Sequence, residues 1–407
     1  MFVPFGLPGE ELLVEINSEK KSWAQGSIRK ILNASSHRRP PYCQKFQKCG
    51  GCHIQHVRYR HQLKIKDEIL RSIFHKFLDE KCALKPVLPS PKSFGYRSRA
   101  RLFPFVSKRH WGIGFYKEGT KRVEPLSHCP VLSEGLNKTL LTAKRFFANY
   151  SGLSSLRHVL LEHDIEQRWC ISLCYKRLLR RDDKSATMTL AKILGTQVEF
   201  GNRKAKFFNH GSRLCFLKDK ELAPKGLYAP SGTFFQANLP QNAHLVKTVV
   251  DLAHKAGGKR ILEFFCGSGN FSIPLSRSGF EIIGMDVDPK AIKSAGKNAQ
   301  LNDCAGRCSF LRVDLFSNKP SFSNKTRPDI ALLDPPRTGA RKLCENMACF
   351  CPKNIIYVSC DPMTLERDLK ILKYQGFKPI EIQPIDMFPQ TYHIETVVLL
   401  TSVGNNV

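Results

Sequence analysis

The chain has 407 residues and a formal charge of +29, with 42% apolar and 24% charged residues, which excludes a disordered or collagen-like protein and calls for more than one hydrophobic core. An excess of Lys and Arg on that scale selects a polyanionic partner, because phosphates release counterions when basic side chains neutralise them. No apolar run approaches the ~18 residues that span a bilayer and no basic leader opens the N-terminus, so a cytoplasmic protein is expected. In that setting fifteen cysteines point to metal or thiol chemistry instead of a disulfide scaffold.

Residues 1–40 alternate apolar and polar around Leu12, Val14 and Ile16, show a second strand signal at Ile28–Ile31 and close on the basic SSHRRPPY. Residues 41–52 crowd three cysteines and two glycines into one loop. A helix is expected next, with Leu63, Ile65, Ile69, Leu70, Ile73 and Phe77 at helical spacing, ended by Pro86, Pro89 and Pro91. From 92 to 230 strand patterns predominate, with basic stretches at GYRSRARLF, KRHWGIGFYKEGTKR and YKRLLRRDDK. From 243 the pattern changes to helix AHLVKTVVDLAHKA, strand RILEFF, a glycine turn, strand EIIGMDVD, a helix from Pro289, strands DIALLDPP and NIIYVSC, and a closing strand HIETVVLL. That alternation predicts an α/β fold with a doubly wound, mostly parallel sheet.

RILEFF runs into CGSGN, where Gly267 and Gly269 permit a sharp turn at the end of a first strand. Glu263 precedes the turn, and Asp286 ends the next strand, placed to accept hydrogen bonds from ribose hydroxyls. The third glycine of a dinucleotide motif is missing and no P-loop lysine follows, which favours S-adenosylmethionine over a dinucleotide or triphosphate. Asp314 and Asp334 close further strand candidates, and the LLDPPR loop resembles those that hold an exocyclic amine in amine methyltransferases.

Cys360, in SCDPMTLERDL, ends a strand ahead of a helix whose N-terminus is expected to lower its thiol pKa. A thiolate beside a methyl donor suggests addition to C6 of a uracil, which makes C5 nucleophilic, and Glu395 is the candidate base for the C5 proton. The bland reading of such a cysteine is a small buried hydrophobe, and it is taken for Cys170, Cys174, Cys304 and Cys308.

Cys43, Cys49 and Cys52 follow C-x5-C-x2-C, with Cys129 of SHCPVL as the best fourth ligand. Three clustered thiols and one distant Cys-Pro look more like a [4Fe–4S] arrangement than like zinc, with zinc or no metal as alternatives. The loop has no acid and has Lys45 and Lys48 beside it, which suits an anionic cluster. Tyr96, Arg97, Arg99 and Arg101, then Arg109, His110 and Trp111, interleave aromatics with cations as a looped RNA requires.

These stretches, with FVPFGLPGE, CQKFQKCGGC, SHCPVL, SGTFFQAN, GMDVDP and HIETV in order over nearly the whole length, resemble the RNA uracil-5-methyltransferase family, specifically its iron–sulfur branch acting on bacterial 23S ribosomal RNA. The resemblance implies S-adenosylmethionine contacts from Gln236, Phe265, Asn270, Asp286, Asp314 and Asp334. It implies Cys360 as nucleophile, Glu395 as base, and a structural [4Fe–4S] cluster on Cys43, Cys49, Cys52 and Cys129. It further implies a truncated OB-like TRAM module over 1–40 and a β-rich iron–sulfur RNA-binding domain over 41–52 and 87–230. A Rossmann-like methyltransferase domain would then occupy 53–86 and 231–407. Asp286 stands where the family has Glu, and SCDP replaces SCNP. The expectation is a monomeric enzyme that methylates C5 of a uridine in 23S rRNA. The alternatives are tRNA uridine methylation, transfer to a nucleobase amine, and a non-catalytic RNA-binding or iron-sensing protein.

Overall fold

The computed structural model of the protein describes every residue but 81, 107–110, 149, 151–153, 178–179, 195–196, 203–205, 208–212, 317–326 and 404–407; at 111, 194, 197–202 and 206–207 it describes the backbone alone. Strands β1 (Glu11–Lys20) and β2 (Trp23–Asn33) pair antiparallel about the turn Lys21–Ser22. Helix α1 (Tyr59–Phe74) and the short β3 (Ala83–Leu84) follow.

A seven-stranded sheet comes next in the chain. Its members are β4 (Arg99–Val106), β5 (Trp111–Tyr116), β6 (Val123–Pro125), β7 (Leu156–His163), β8 (Trp169–Tyr175), β9 (Gln197–Asn202) and β10 (Lys206–Phe207), with helices α2 (Glu134–Ala148) and α3 (Arg181–Leu194) between them. The order is β10-β9-β8-β7-β4-β5-β6, and β8–β9 is its parallel pair. Gly114 lets β5 and β6 approach, since a Cβ there would lie 1.9 Å from the Glu124 carbonyl oxygen. Leu102, Leu140, Phe147, Val159, Leu161, Ile171 and Leu173 form the core between this sheet and its helices.

Hairpin β11 (Arg213–Asp219) and β12 (Ala223–Pro230) leads to α4 (Leu239–Ala256). The chain then alternates through β13 (Arg260–Phe264), α5 (Ser272–Arg277), β14 (Glu281–Asp286), α6 (Pro289–Leu301), β15 (Cys308–Arg312), β16 (Ile330–Leu333), α7 (Arg341–Glu345), β17 (Asn354–Ser359), α8 (Pro362–Tyr374), β18 (Phe377–Ile385) and β19 (Glu395–Ser402). The sheet order is β15-β14-β13-β16-β17-β19-β18-β3, parallel from β15 to β17, with β19 antiparallel to both its neighbours. Successive residues of β17 point into opposite cores: Ile356 and Val358 join α4 and the β11–β12 hairpin, whereas Ile355 and Tyr357 join α1, α7 and α8. A sheet covered on both faces is the doubly wound architecture that the apolar runs imply.

The expected face of α1 is corrected by the structure. Ile69 is 39% exposed, while Gln62, Lys66, Leu70 and Phe74 are buried. Lys66 turns inward because its Nζ meets Asp386 Oδ1 at 2.6 Å, and Gln62 because its amide donates to the carbonyls of Ile54 and Val57 at 3.0 and 2.9 Å. The helix also stops at Phe74, well before Pro86. Helix α4 starts four residues earlier than expected, where Asn238 caps it by accepting from the Gln241 N–H. No helix among the described residues is long and apolar enough to cross a membrane.

Candidate functional site

The carboxyl ends of the parallel strands lie side by side, and β19, running the other way, begins at the same end of the sheet. In sheet order these ends carry Asp314, Asp286, the 265–270 turn, Asp334, Cys360 and Glu395. The chain steps outward from β13 through β14 to β15 and then crosses back to β16 on the other side of β13, and this reversal of strand order opens a crevice above these ends.

The turn after β13 has left-handed backbone at Phe265 (φ 65°), Gly267 (φ 55°) and Gly269 (φ 88°), and the carboxylate of Asp286 fastens it. Gly267 N–H donates to Asp286 Oδ2 at 3.0 Å and Asp288 N–H donates to Oδ1 at 2.8 Å. Asn270 and Asn242 exchange amide hydrogen bonds at 2.8 and 3.0 Å, which ties the turn to the first part of α4. Gln236 is buried two residues before the Asn238 cap of that helix. The Phe265 ring packs 5.5 Å from that of Phe316, whose N–H donates to Asp314 Oδ1 at 3.0 Å. Asp314 does not close a strand as expected: β15 ends at Arg312, its last pairing with β14, and Asp314 follows on an exposed turn.

Glu263 is fully buried on β13, where the Ser272 hydroxyl donates to its Oε2. Its Oε1 and the buried Ser268 hydroxyl have no hydrogen-bond partner among the described residues. Burial pushes Glu263 up to about 8, with the charges of Asp334 and Asp286 adding to it. Asp334 rises to about 7, from burial and then Asp286. Carboxyls raised by burial and then by a neighbouring carboxylate, around unsatisfied oxygens, suit a ligand carrying cations and hydroxyls. The sulfonium, ammonium and ribose of S-adenosylmethionine answer that description.

Ser359 and Thr396 form the last rung of the β17–β19 ladder, so Cys360 and Glu395 face each other one position beyond it. Glu395 is 2% exposed and is pushed up to about 8 by burial and by Asp334, against a lowering by Arg337. The lowered thiol pKa expected at Cys360 is not found. Burial, then Glu395 and Asp334, push it up to about 12. The start of α8 cannot offset this, because the Asp361 carboxylate already takes the N–H groups of Met363 and Thr364 at 3.0 and 3.1 Å. The resting pair is therefore a thiol and a neutral acid. Arg337 of the LLDPPR loop is the cation that Cys360, Glu395 and His393 share. The sequence reading gave it no role, although a single arginine directly after the double proline was the available signal.

A cavity of about 340 Å³ is lined by Cys43, Cys49, Cys52 and Cys129, and also by Arg97, Arg101, Arg337 and His393. Burial first and neighbouring thiols next push Cys49 up to about 11 and Cys52 to about 12, and Cys129 rises too. As they stand, no three His, Cys, Asp or Glu side chains among the described residues are arranged to hold a metal ion. The four cysteines nonetheless open on one space, and thiols are the donors that a bound metal centre would ionise. Lys45 is not free to face a cluster, since its Nζ is 2.6 Å from Glu124 Oε1.

The cysteine loop is joined to the segment that precedes Glu395. His53 and Ile54 N–H donate to the Gln390 carbonyl at 2.9 and 3.1 Å, and Gln390 (φ 71°) exchanges further bonds with Gln62. The basic face divides. Tyr96 is buried with its hydroxyl donating to the Pro389 carbonyl at 3.0 Å, and Arg99 pairs with Glu162 at 3.1 Å, so both brace the fold. Arg97 and Arg101 line the cavity. Arg109, His110 and the Trp111 side chain lie outside the described residues.

The family model of tRNA (uracil-5-)-methyltransferases matches residues 58–317 and 322–403. The chain is 33% identical over 402 residues to the 23S rRNA (uracil(1939)-C(5))-methyltransferase RlmD of Shewanella sediminis, covering 98% of this chain and 90% of the relative. It is 30% identical over 416 residues to that of Vibrio cholerae, covering 99% and 91%. The fold is similar to the crystal structure of Pyrococcus abyssi tRNA (uracil-54, C5)-methyltransferase in complex with S-adenosyl-L-homocysteine, with a TM-score of 0.71 and 25% identity over 98% of this chain and 95% of that one.

Proposed function

This chain belongs to the tRNA (uracil-5-)-methyltransferase family, and from that premise we propose that it transfers a methyl group from S-adenosylmethionine to C5 of a uridine in 23S ribosomal RNA. The observation that carries the chemistry is the meeting of Cys360 and Glu395 at the crevice, next to Asp334. Gln236, Phe265, Asn270, Asp286, Asp314 and Asp334 would hold the donor, which supplies an electrophilic methyl group when bound. Cys360 and Glu395 each give up a proton to solvent beside Arg337, and the Cys360 thiolate bonds to C6 of the uracil, which leaves C5 electron-rich. C5 forms its new bond to the methyl carbon as the carbon–sulfur bond of the donor breaks. The Glu395 carboxylate then removes the C5 proton, and the C6–sulfur bond breaks to restore the ring and the thiolate. Asp334 lies between donor and nucleophile in sheet order, and Arg337 favours the anionic states that Cys360 and Glu395 must each adopt. The target base leaves its stack to reach this crevice.

Cys43, Cys49, Cys52 and Cys129 would hold a [4Fe–4S] cluster, which would brace the cavity wall and take no part in methyl transfer. The tRNA reading is the weaker one, because the full-length relatives reported above carry 23S rRNA in their names. An RNA carrying 5-fluorouridine at the target tests the mechanism: C5 of the methylated adduct carries fluorine in place of the proton that a base must remove, so the adduct cannot resolve and a crosslink should form at Cys360 and disappear in Cys360→Ala. Methylation that persists in Cys360→Ala would refute it and favour transfer to an amine.

A further inference from the structure

Behind the cysteine loop lies a second concavity that the reaction does not use. It is an open groove of about 740 Å³ lined by Tyr42, Phe94, His128, Pro130, Lys138 and Leu141, among others. Tyr42 precedes Cys43, and His128 and Pro130 flank Cys129, so the groove and the thiol-lined cavity share two chain segments as their wall. Tyr42 is 69% exposed, unusual for a ring that is also held in place. Phe94 meets it edge-on with ring centroids 5.0 Å apart. The Arg39 guanidinium lies 5.0 Å from the Tyr42 ring and 5.3 Å from that of Phe94.

Arg39 is itself fixed. It donates to the Gln55 carbonyl at 3.0 Å and to Gln390 Oε1 at 3.1 Å, and Gln390 is the residue that the cysteine loop and α1 also grip. The result is an aromatic ring with a cation behind it and solvent in front, ordered before any ligand arrives. Such a ring binds at low entropic cost. A nucleobase, with an apolar π-face and polar edges, suits it: the groove is lined mainly by apolar groups of Phe94, Pro130, Leu132 and Leu141, with Ser127, Asn137 and the Glu134–Lys138 ion pair as its polar parts. The excess of basic residues supplies the attraction for the attached phosphates.

We propose that Tyr42, supported by Arg39 and Phe94, is a stacking platform for an unpaired base of the RNA substrate outside the target uridine, so that the RNA is held on both sides of the cysteine loop. The platform rests on the reading of the chain as an RNA methyltransferase. It is sequence-tolerant, since every base presents a π-face.

The test uses this protein and two transcripts containing the 23S rRNA uridine that the relatives' names give, position 1939, one with an unpaired flank of several nucleotides and one trimmed of that flank. Tyr42→Ala should weaken binding of the flanked RNA about tenfold, as the loss of one base–aromatic stack does, and leave the trimmed RNA unchanged. Tyr42→Trp should keep the flank's contribution, and kcat at saturating RNA should not move in either variant. Iron content and unfolding midpoint equal to wild type show that the neighbouring Cys43 is undisturbed. Equal affinity of Tyr42→Ala for the flanked RNA, or an equal loss on both RNAs, would overturn the platform while leaving the methyltransferase reading intact. A wild type that methylates neither transcript would overturn the substrate reading and the platform with it.

Discussion

Binding of the methyl donor should expel protons. Glu263 stands at about 8 and Asp334 at about 7, each lifted by burial and then by neighbouring carboxylates. A sulfonium and an ammonium placed among them reverse that repulsion and favour the ionised forms. At pH 7 a carboxyl of pKa 8 is about nine-tenths protonated and one of pKa 7 about half, so complete ionisation releases about 1.4 protons per donor bound. Affinity then rises with pH, by up to about fiftyfold between pH 6 and 7 if both groups ionise fully. Titration calorimetry of S-adenosylmethionine without RNA, in two buffers of different ionisation enthalpy, reads the proton count directly. Asp334→Asn should lower it below about 0.9 at pH 7, leaving only a Glu263 contribution that is itself reduced because the Asp334 charge no longer raises that carboxyl. Heats that are equal in both buffers, with an affinity flat from pH 6 to 7, would refute the account of Glu263 and Asp334 as carboxyls raised by burial and by their neighbours. The same shifts fix a stability trend. Groups raised in the folded state stabilise most below their unfolded values near 4, and this contribution is lost as pH rises through about 7 to 8. The donor-free protein should accordingly melt at lower temperature at pH 8.5 than at pH 6, and the donor should protect it more at the higher pH.

Three further outcomes are expected. Glu395→Gln should form the Cys360 adduct but resolve it slowly, so a covalent protein–RNA species accumulates and turnover drops by about 10²- to 10⁴-fold; unchanged turnover places the base elsewhere. Lys66→Met should cost about 3–5 kcal/mol in urea unfolding by stranding the buried Asp386, and pairing it with Asp386→Leu should recover part of that; a double variant as unstable as the summed singles would show that the pair is not coupled. Protein purified without oxygen should contain iron and absorb in the visible range, and Cys49→Ser or Cys129→Ser should lose both; a wild type with neither would remove the cluster from the proposal.

Strands β13, β14, β16, β17 and β19 were readable because strands buried on both faces are near-continuous apolar runs. The neighbour β18 was not, since Pro379 and Pro384 interrupt its pattern, although it pairs with β19 along most of its length and with β3 at its other edge. The face of α1 escaped for another reason. Lys66 is buried against Asp386, 320 residues away, and Gln62 against Gln390, 328 residues away, as well as against the loop before the helix, and no helical periodicity records such pairings. The same distance rule explains Cys360. Its place at a strand end is local information, but the burial that chiefly keeps it protonated and the carboxyls of Glu395 and Asp334 that add to it come from the packed sheet, and the helix start that should have helped is occupied by Asp361. Arg99, read from its surroundings as a phosphate contact, is claimed by Glu162 on the adjacent strand β7.

The position of β19 ties the site to the way the sheet closes. It follows β18 in the chain yet sits inside the sheet, between β17 and β18, and its first residue is Glu395. β17 and β18 therefore never pair with each other, and Glu395 is brought beside Cys360 only when β19 has inserted between them. Assembling this pair of residues is thus inseparable from closing the interior of the sheet, a step that depends on contacts distant in sequence.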